Sequence, residues 1–415
     1  MREWWRRLGG RRAEGAAEPV AAKKTADPGT DAGPTDPGTD VTRADRGTDR
    51  GPADPGTGDT PLEVWRRFGR RRPEAPKEPL GDEERAEIGL PRTLRPVPLP
   101  APAQRSYFDP ALKNFTKGYR AADPRFPDPA EDAAWRAARR EALDLVLAAV
   151  AGSPWADSLV LRGSVLLSAW FGDAAREPGD IDFVVVPGDW GIEEDRTGLM
   201  LDGVALAAER YSAAYGGGVR LSARDAVCDD IWTYERVPGR RLLLPWSAPG
   251  LPGGGVQLDF VFNEKLLVPP ERTVLADGTS LWAATPGLSL AWKLMWIIND
   301  MYPQGKDVFD AVLLAERHPL PYDVLRELLQ LSGEWPPDLN APAVLDFPYL
   351  LGCLREVDWT HSAVQYPHLA AAEKELTARL AGALRPAFPP GEPGESGEPG
   401  EPGEPGESGE PSASG

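Results

Sequence analysis

Residues 161–182 most constrain the fold, because a turn, an apolar run and a strand-like segment follow one another closely there. The small-residue turn Gly163-Ser164 precedes an apolar run with helical character. Two carboxylates, Asp180 and Asp182, then head the sequence Phe-Val-Val-Val. Because strand side chains alternate between faces, Asp180 and Asp182 should project from the same side. The stretch therefore predicts a helix followed by a buried strand with two acidic groups at its start.

The two ends of the chain are predicted to be disordered. Residues 13–62 are mostly Ala, Gly, Pro, Thr and Asp, and they bury too little apolar surface to offset chain entropy. Residues 391–411 are seven consecutive Gly-Glu-Pro or Gly-Glu-Ser triplets. Their period resembles that of collagen, but three stacked chains of unpaired glutamates would repel one another, which favours a solvated acidic tail. We expect disorder over residues 1–104 and 389–415.

About 280 residues, near 105–385, remain for a folded core, which is an ample length. The net charge of −18 argues against broad, sequence-independent binding to nucleic acid, although it leaves room for a local basic groove. Two cysteines, Cys228 and Cys353, give neither a disulfide framework nor metal spacing. No apolar run approaches the roughly 20 residues of a membrane span. These features predict a cytoplasmic protein without a membrane span.

Hydrophobic spacing predicts strands that alternate with helices, an α/β or α+β fold, with a helical C-terminal half. We expect a core over 105–285, with an insertion at about 187–255, and a helical part over 286–388. Strands are predicted at 181–186 and 256–262. Helices are predicted just past Gly163-Ser164 and at 131–150, 202–215, 288–298, 307–317, 324–331 and 369–384.

One internal repeat lies in the leader. Residues 3–14 recur as residues 63–74 with eight of twelve positions identical, and both copies contain Trp-Arg-Arg. A basic aromatic peptide that is presented twice could dock on an anionic membrane, on RNA or on a partner groove. A recent duplication without selected function explains the repeat equally well.

The acidic and small residues of the 161–182 stretch suggest binding of metal and phosphate. Asp180 and Asp182 could bind divalent cations such as Mg²⁺ through oxygen, although a solvent-facing strand start would use the same residues. Gly163 permits close backbone approach, and the amides at a helix start attract phosphate, to which Ser164 can add its hydroxyl. A simple helix N-cap at Ser164 is the alternative. The two features in this order are more specific than either alone.

Three further positions carry charge in apolar or helical surroundings. Asp259 lies within Val-Gln-Leu-Asp-Phe-Val-Phe, where a buried charge needs a reason such as a metal or a paired arginine. Lys293 is the lysine of an otherwise apolar run, for which a triphosphate would be a partner and snorkelling to the surface the alternative. In Lys306-Asp307-Val308-Phe309-Asp310, two carboxylates lie one helical turn apart. Asp307 could be an N-cap, and Asp310 could orient Lys293 or a nucleotide.

The order Gly-Ser, Asp-x-Asp, Asp, Lys and Lys-Asp-x-x-Asp resembles the AbiEii/AbiGii toxin family over roughly residues 155–317. The resemblance implies a DNA-polymerase-β-like nucleotidyltransferase core, a small mixed sheet flanked by helices. It implies two Mg²⁺ ions at Asp180, Asp182 and Asp259, with Asp259 as third ligand or as base. The remaining implied roles are catalysis by Lys293 and Asp310, and nucleotide binding by Gly163, Ser164, Lys293, Lys306 and Asp307.

Members of that family are toxins of type IV toxin–antitoxin or abortive-infection systems, so an NTP substrate, a tRNA acceptor and a cognate antitoxin are the expected partners. Two departures stand out: a longer loop between Gly-Ser and Asp-x-Asp, and the insertion at about 187–255, which bears on acceptor identity.

A small-molecule adenylyltransferase of the antibiotic-modifying type shares the expected core. A catalytically silent binding protein, and a scaffold that acts through the Trp-Arg repeats, are the non-enzymatic alternatives.

Overall fold

A computed structural model describes residues 81–97, 104–115, 117–234, 237–333, 345–360 and 362–388. The two Trp-Arg repeats and the Gly-Glu-Pro tail lie outside the described residues. The prediction that residues 1–104 are disordered is wrong for residues 81–97. These residues contain a short helix, and the backbone amides of Arg92 and Thr93 donate to the Asp229 carboxylate at 3.1 and 2.7 Å. This buried contact fixes the segment against the sheet.

Ten strands make up the two sheets of the described chain. In chain order they are β1 (Ser106–Phe108), β2 (Tyr119–Ala121), β3 (Leu159–Arg162), β4 (Ile181–Val185), β5 (Arg220–Leu221), β6 (Val227–Tyr234), β7 (Val237–Ala248), β8 (Leu251–Val261), β9 (Glu271–Val274) and β10 (Ser280–Ala283). Strands β1 and β2 form an antiparallel pair. The other eight form one mixed sheet in the order β5-β7-β8-β4-β3-β10-β9, with β6 also paired to β7.

Eleven α-helices accompany these strands in the part of the chain that is described. They are α1 (Asp82–Glu87), α2 (Pro129–Ala151), α3 (Ser164–Phe171), α4 (Asp195–Tyr215), α5 (Pro286–Asn299), α6 (Gly305–Ala315), α7 (Tyr322–Ser332), α8 (Phe347–Arg355), α9 (Ser362–Gln365), α10 (Pro367–Ala371) and α11 (Glu373–Leu384). Short 3₁₀ turns lie at Pro110–Leu112, Ala156–Ser158, Gly172–Ala174 and Arg385–Ala387.

Strand β4 lies at the centre of the large sheet. It pairs in parallel with β8 and antiparallel with β3. The side chains of Ile181, Phe183 and Val184 are completely buried, as expected for a strand that is covered on both faces. Phe183 stacks on Phe260 of β8, with ring centroids 5.7 Å apart. This packing fixes the strand that follows Asp180.

The large sheet has eight strands, so it is larger than the small mixed sheet that the family resemblance implied. The segment at about 187–255, expected only as an insertion, supplies α4 and strands β5 to β7 and also the first part of β8. Strand β7 pairs with β8 along most of its length and with β6 on its other edge. The insertion therefore extends the sheet on the β8 side and does not form a separate appendage.

Helices α5 and α6 carry Lys293, Lys306, Asp307 and Asp310, the residues of the C-terminal half that the sequence singled out. Pro286 is the first residue of α5, where its missing amide hydrogen costs nothing, and the Thr285 hydroxyl caps the helix by accepting from the Leu288 amide at 3.3 Å. The apolar residues of α5 are almost all buried, as the predicted helix at 288–298 required. None of the described helices is both long and apolar enough to cross a membrane.

Gly305, the first residue of α6, should not tolerate a side chain. A Cβ atom there would lie 2.3 Å from the Trp359 ring, so Gly305→Ala should lower the free energy of unfolding by roughly 1–3 kcal/mol. Gly382, inside α11, has open space around the same atom, and Gly382→Ala should raise stability by about 0.5–1 kcal/mol. Urea denaturation of both variants measures the difference. Equal effects would show that Trp359 does not restrict this position.

Candidate active site

A row of four charged side chains crosses the middle of the large sheet. Register pairs Arg162 of β3 with Asp182 of β4, Asp182 with Asp259 of β8, and Asp259 with Arg241 of β7. Directly paired residues on neighbouring strands lie on the same face, about 5 Å apart. The row therefore places two carboxylates side by side between two guanidinium groups.

This row lines an open cavity of about 140 Å³. The opposite wall comes from the helical half, through Lys293, Trp296 and the segment from Gln304 to Asp307. Arg120 and Asp109, from the β1–β2 region, close one side. The cavity thus joins three separate parts of the chain, and most of its polar lining is charged.

Asp182 faces the cavity without a protein cation bound to it. In the described part of the chain, no hydrogen bond or ion pair engages its carboxylate. Burial, together with the charges of Asp180 and Asp259, raises the pKa of Asp182 to about 7. The backbone of Gly163, at φ +81°, lies so close that a Cβ atom there would be 2.2 Å from Asp182 Oδ2. Gly163 therefore makes room for this carboxylate.

Asp180, just before β4, is held by an arginine. Its Oδ2 accepts from Arg120 at 2.9 Å and from the Gln257 amide at 3.4 Å. Burial alone would raise the pKa of Asp180, but the Arg120 guanidinium, Lys306 and Arg176 outweigh it and keep that pKa well below its usual range. Asp180 is consequently ionised throughout the neutral pH range.

Asp259, the third carboxylate, forms a bidentate ion pair with Arg241. Both bonds measure 2.8 Å, and the same guanidinium donates to Asp109 at 2.7 Å. Gln257 donates to both Asp259 oxygens at 3.2 Å, so it bridges Asp259 and Asp180. Burial nevertheless raises the pKa of Asp259, because desolvation outweighs the attraction to Arg241. The carboxylate is oriented, and each oxygen keeps free lone-pair capacity.

Lys293 has partners within the protein. Only 5% of it is exposed, and its ammonium group lies 2.7 Å from Asp307 and 2.9 Å from Asp310. Fully buried Asp310 also receives two hydrogen bonds from Arg176, at 3.0 and 2.8 Å. A triphosphate is therefore not required to explain why this lysine is buried. Burial would lower the pKa of Lys293, but the two carboxylates raise it, so the group stays cationic.

The turn before α3 presents polar groups to the cavity. Ser164 is the first residue of the helix and is 1% exposed, and its hydroxyl oxygen is buried without a hydrogen-bond partner. The simple N-cap role that the sequence allowed for Ser164 is therefore wrong, because Gly163 occupies the cap position. Lys306 lines the cavity as well, and no described carboxylate lies within ion-pair distance of its ammonium group.

The three carboxylates of the cavity differ in how well they suit a divalent cation. Among the described residues, no three His, Cys, Asp or Glu side chains form a ready-made metal cluster, because Asp180 and Asp259 point oxygens at Arg120 and Arg241. Asp182, by contrast, is an unpaired carboxylate beside two like charges, and carboxylate oxygens are the ligands that Mg²⁺ prefers. The donor set fits a hard divalent cation at Asp182, with Asp180 and Asp259 adjacent.

The charged residues of the site that the sequence did not indicate include Asp109, Arg120, Arg162, Arg176 and Arg241. Arg162 and Arg176 lie inside the 161–182 stretch, next to Gly163 and four residues before Asp180, so their positions were a signal. Asp109, Arg120 and Arg241 come from segments without a motif. Their partners become visible only from strand pairing and from the position of the β1–β2 segment.

Gly163→Ala should strain the backbone and should also displace the Asp182 carboxylate from its position in the site. Gly163 (φ +81°, ψ −154°) and Gly172 (φ +55°, ψ −132°) flank α3 in conformations that favour glycine, but nothing lies near a Cβ atom at Gly172. Alanine at either position should cost roughly 1–3 kcal/mol of stability. Only Gly163→Ala should also abolish binding of Mn²⁺, measured by electron paramagnetic resonance. Loss of Mn²⁺ binding in both variants would contradict this contact.

Asn substitutions at Asp182 and Asp180 should change stability in opposite directions in EDTA. A folded-state pKa near 7 for Asp182, above its ordinary 3.8, means that wild-type stability falls as pH rises from about 4 to about 7. Asp182→Asn should therefore be more stable than wild type at pH 8, with no advantage below pH 4. Asp180→Asn should be less stable at pH 8, because Arg120 loses its buried partner. Urea denaturation at both pH values measures these differences, and equal signs would refute them.

Comparison with known proteins assigns the chain to a family. A family model described as nucleotidyl transferase AbiEii toxin, type IV toxin–antitoxin system, matches residues 145–391. That range contains the Gly163-Ser164 turn, the carboxylate row and Lys293. No curated protein matches the chain by sequence. Since the match covers more than half of the chain, the protein belongs to the AbiEii nucleotidyl transferase toxin family.

Proposed function

We propose that this protein transfers a nucleotide from an NTP to a hydroxyl group of an acceptor, with Mg²⁺, and releases pyrophosphate. The observation that carries the proposal is the unpaired carboxylate of Asp182, set between Asp180 and Asp259 and next to the Gly163-Ser164 turn. The mixed sheet with its helices is consistent with a nucleotidyltransferase fold. A polymerase-β-like core is part of the proposal.

The proposed division of roles follows the cavity walls. Asp180 and Asp182 would hold two Mg²⁺ ions, with Asp259 as the third carboxylate of the metal site. The ions would supply polarisation of the attacking and leaving oxygens, which is their general role in phosphoryl transfer. Gly163 and Ser164 offer the α3 N-terminus and a free hydroxyl to phosphate oxygens.

The helical wall supplies positive charge. Lys293, fixed by Asp307 and Asp310, faces the triphosphate with an ammonium group that stays cationic. Lys306 lies beside it on the same wall. Asp310 acts by positioning Lys293, and Asp307, in the preceding turn of α6, does the same. Fixed charges of this kind stabilise the transition state because they need no reorganisation during the reaction.

The proposed reaction is a single displacement at the α-phosphorus. The acceptor oxygen forms a bond to that phosphorus while the bond to the oxygen that bridges to the β-phosphate breaks. Pyrophosphate leaves with the electron pair of the broken bond, and Asp259 receives the proton of the acceptor hydroxyl. No covalent intermediate with the protein is required.

As a member of the AbiEii family, the protein is expected to act as a toxin with a cognate antitoxin. We propose tRNA or another macromolecule as acceptor, in the cytoplasm, where NTPs are available. The alternatives are a small-molecule acceptor and a catalytically silent binding protein. Incubation of the purified full chain with Mg²⁺, each labelled NTP, total tRNA and cell lysate separates them, because label appears in RNA, in protein, in a small molecule or nowhere.

Asp182→Ala should reduce nucleotide transfer at least 1,000-fold, roughly the loss expected when a metal site is destroyed. The same variant should relieve growth arrest on expression. Asp323→Ala is the matched control, because the Asp323 side chain is 94% exposed and far from the carboxylate row in sequence. Transfer of label and growth are the two measurements. Unimpaired growth arrest by Asp182→Ala would overturn the proposed function.

A further inference from the structure

Arg162, the last residue of β3, is a buried guanidinium group that the proposed function leaves unused. Its side chain is 4% exposed and contacts the rings of Trp292 and Trp296, with its Cζ atom 5.2 and 5.1 Å from their centroids. Its Nε and Nη1 atoms are buried and have no hydrogen-bond partner. Glu264 approaches only to 3.7 Å, which is too far for a hydrogen bond.

The other arginines of the cavity differ from Arg162 in this respect. Arg120 is hydrogen-bonded to Asp180, Arg176 to Asp310 and Arg241 to Asp259 and Asp109, all at 3.0 Å or less. Buried donors that are left without an acceptor are costly, and a guanidinium group more so than a neutral donor. Arg162 has an ion-pair partner in Glu264 but no hydrogen bond at Nε or Nη1, so these donors stay available for a further anion.

A second unsatisfied donor lies beside it. The buried Ser164 hydroxyl also lacks a partner, and Arg162 and Ser164 line the same cavity on either side of Gly163. The amides of the α3 N-terminus are next to both. A phosphate group suits this combination, because its oxygens accept from a planar guanidinium fork, a hydroxyl and backbone amides together.

The order of the charged row gives this phosphate a place in the reaction. Arg162 lies at the β3 end, the metal-binding carboxylate Asp182 comes next, then Asp259, and Arg241 lies at the β7 end. Attacking and leaving oxygens lie on opposite sides of the transferred phosphorus in a displacement. If Asp259 serves the attacking hydroxyl, the leaving group belongs on the opposite side of Asp182, where Arg162 and Ser164 lie.

We propose that Arg162 binds the pyrophosphate portion of the substrate, the β- and γ-phosphates, and retains it as the leaving group after transfer. This assignment rests on the proposed function. Arg162 contributes positive charge and bidentate hydrogen bonds, and Ser164 contributes a hydrogen bond from its hydroxyl group. The flanking Trp292 and Trp296 rings hold the guanidinium plane in position while no anion is bound.

Binding of three probes to the full chain tests the assignment. We would measure pyrophosphate, an NTP analogue with a non-hydrolysable α,β-linkage, and the matching nucleoside monophosphate by calorimetry with Mg²⁺. Arg162→Gln should lower the affinity for pyrophosphate and for the analogue by about 10–100-fold. The affinity for the monophosphate should stay within about 2-fold of the wild-type value. Arg162→Lys should recover part of the loss, because lysine keeps the charge but not the fork.

Arg272→Gln is the matched control. The Arg272 guanidinium also lies over a tryptophan, Trp282, at 4.9 Å, but on the β9 edge and outside the cavity. This variant should bind all three probes like wild type. Thermal unfolding of Arg162→Gln without ligand should show some loss of stability, because buried Glu264 loses the cation that lies 3.7 Å away, so binding is measured well below the unfolding midpoint.

Two results would overturn the assignment. One is unchanged pyrophosphate affinity in Arg162→Gln, and the other is an equal loss for all three probes, as a purely structural arginine would give. Failure of the proposed function looks different, because then wild type itself would bind neither the NTP analogue nor pyrophosphate. If Arg162→Gln is unstable, the probe affinities of Arg162→Lys decide the question.

Discussion

The parallel pairing of β4 with β8 places the Asp182 and Asp259 carboxylates directly opposite each other on neighbouring strands. Two like charges at this separation repel, and burial removes the water that would screen them. Only one of the two charges is neutralised by a hydrogen-bonded cation. Arg241 donates two hydrogen bonds to Asp259, whereas no cation is hydrogen-bonded to Asp182 in the described part of the chain. The proposed metal site rests on this carboxylate, whose charge no hydrogen-bonded cation balances.

The helical half of the chain is tied to this site through one ion network. Arg176, in the loop before Asp180, donates two hydrogen bonds to Asp310 of α6, and Asp310 also forms an ion pair with Lys293 of α5. A shift of α6 would therefore move both Lys293 and the loop that leads into β4. This network connects the sheet to the helices, which form the two walls of one cavity.

The cavity also includes groups that lie outside the matched family range of 145–391. Asp109 and Arg120 come from the β1–β2 region, and they reach Arg241 and Asp180 respectively. The metal ion of the proposed function would have to share the Asp180 carboxylate with Arg120. In this chain, the residues before the matched range thus help to set the charge balance of the site.

Local sequence pattern determined the helices at 131–150 and 288–298, the strand at 181–186, and the carboxylates Asp180 and Asp182 as its acidic start. These features depend on spacing between near neighbours, which periodicity reports directly. The extent of the sheet and the partners Asp109, Arg120 and Arg241 were decided only by tertiary structure. Strand register and the approach of distant segments depend on packing across the whole core, and a residue's position in the sequence does not reveal which charge it will meet there.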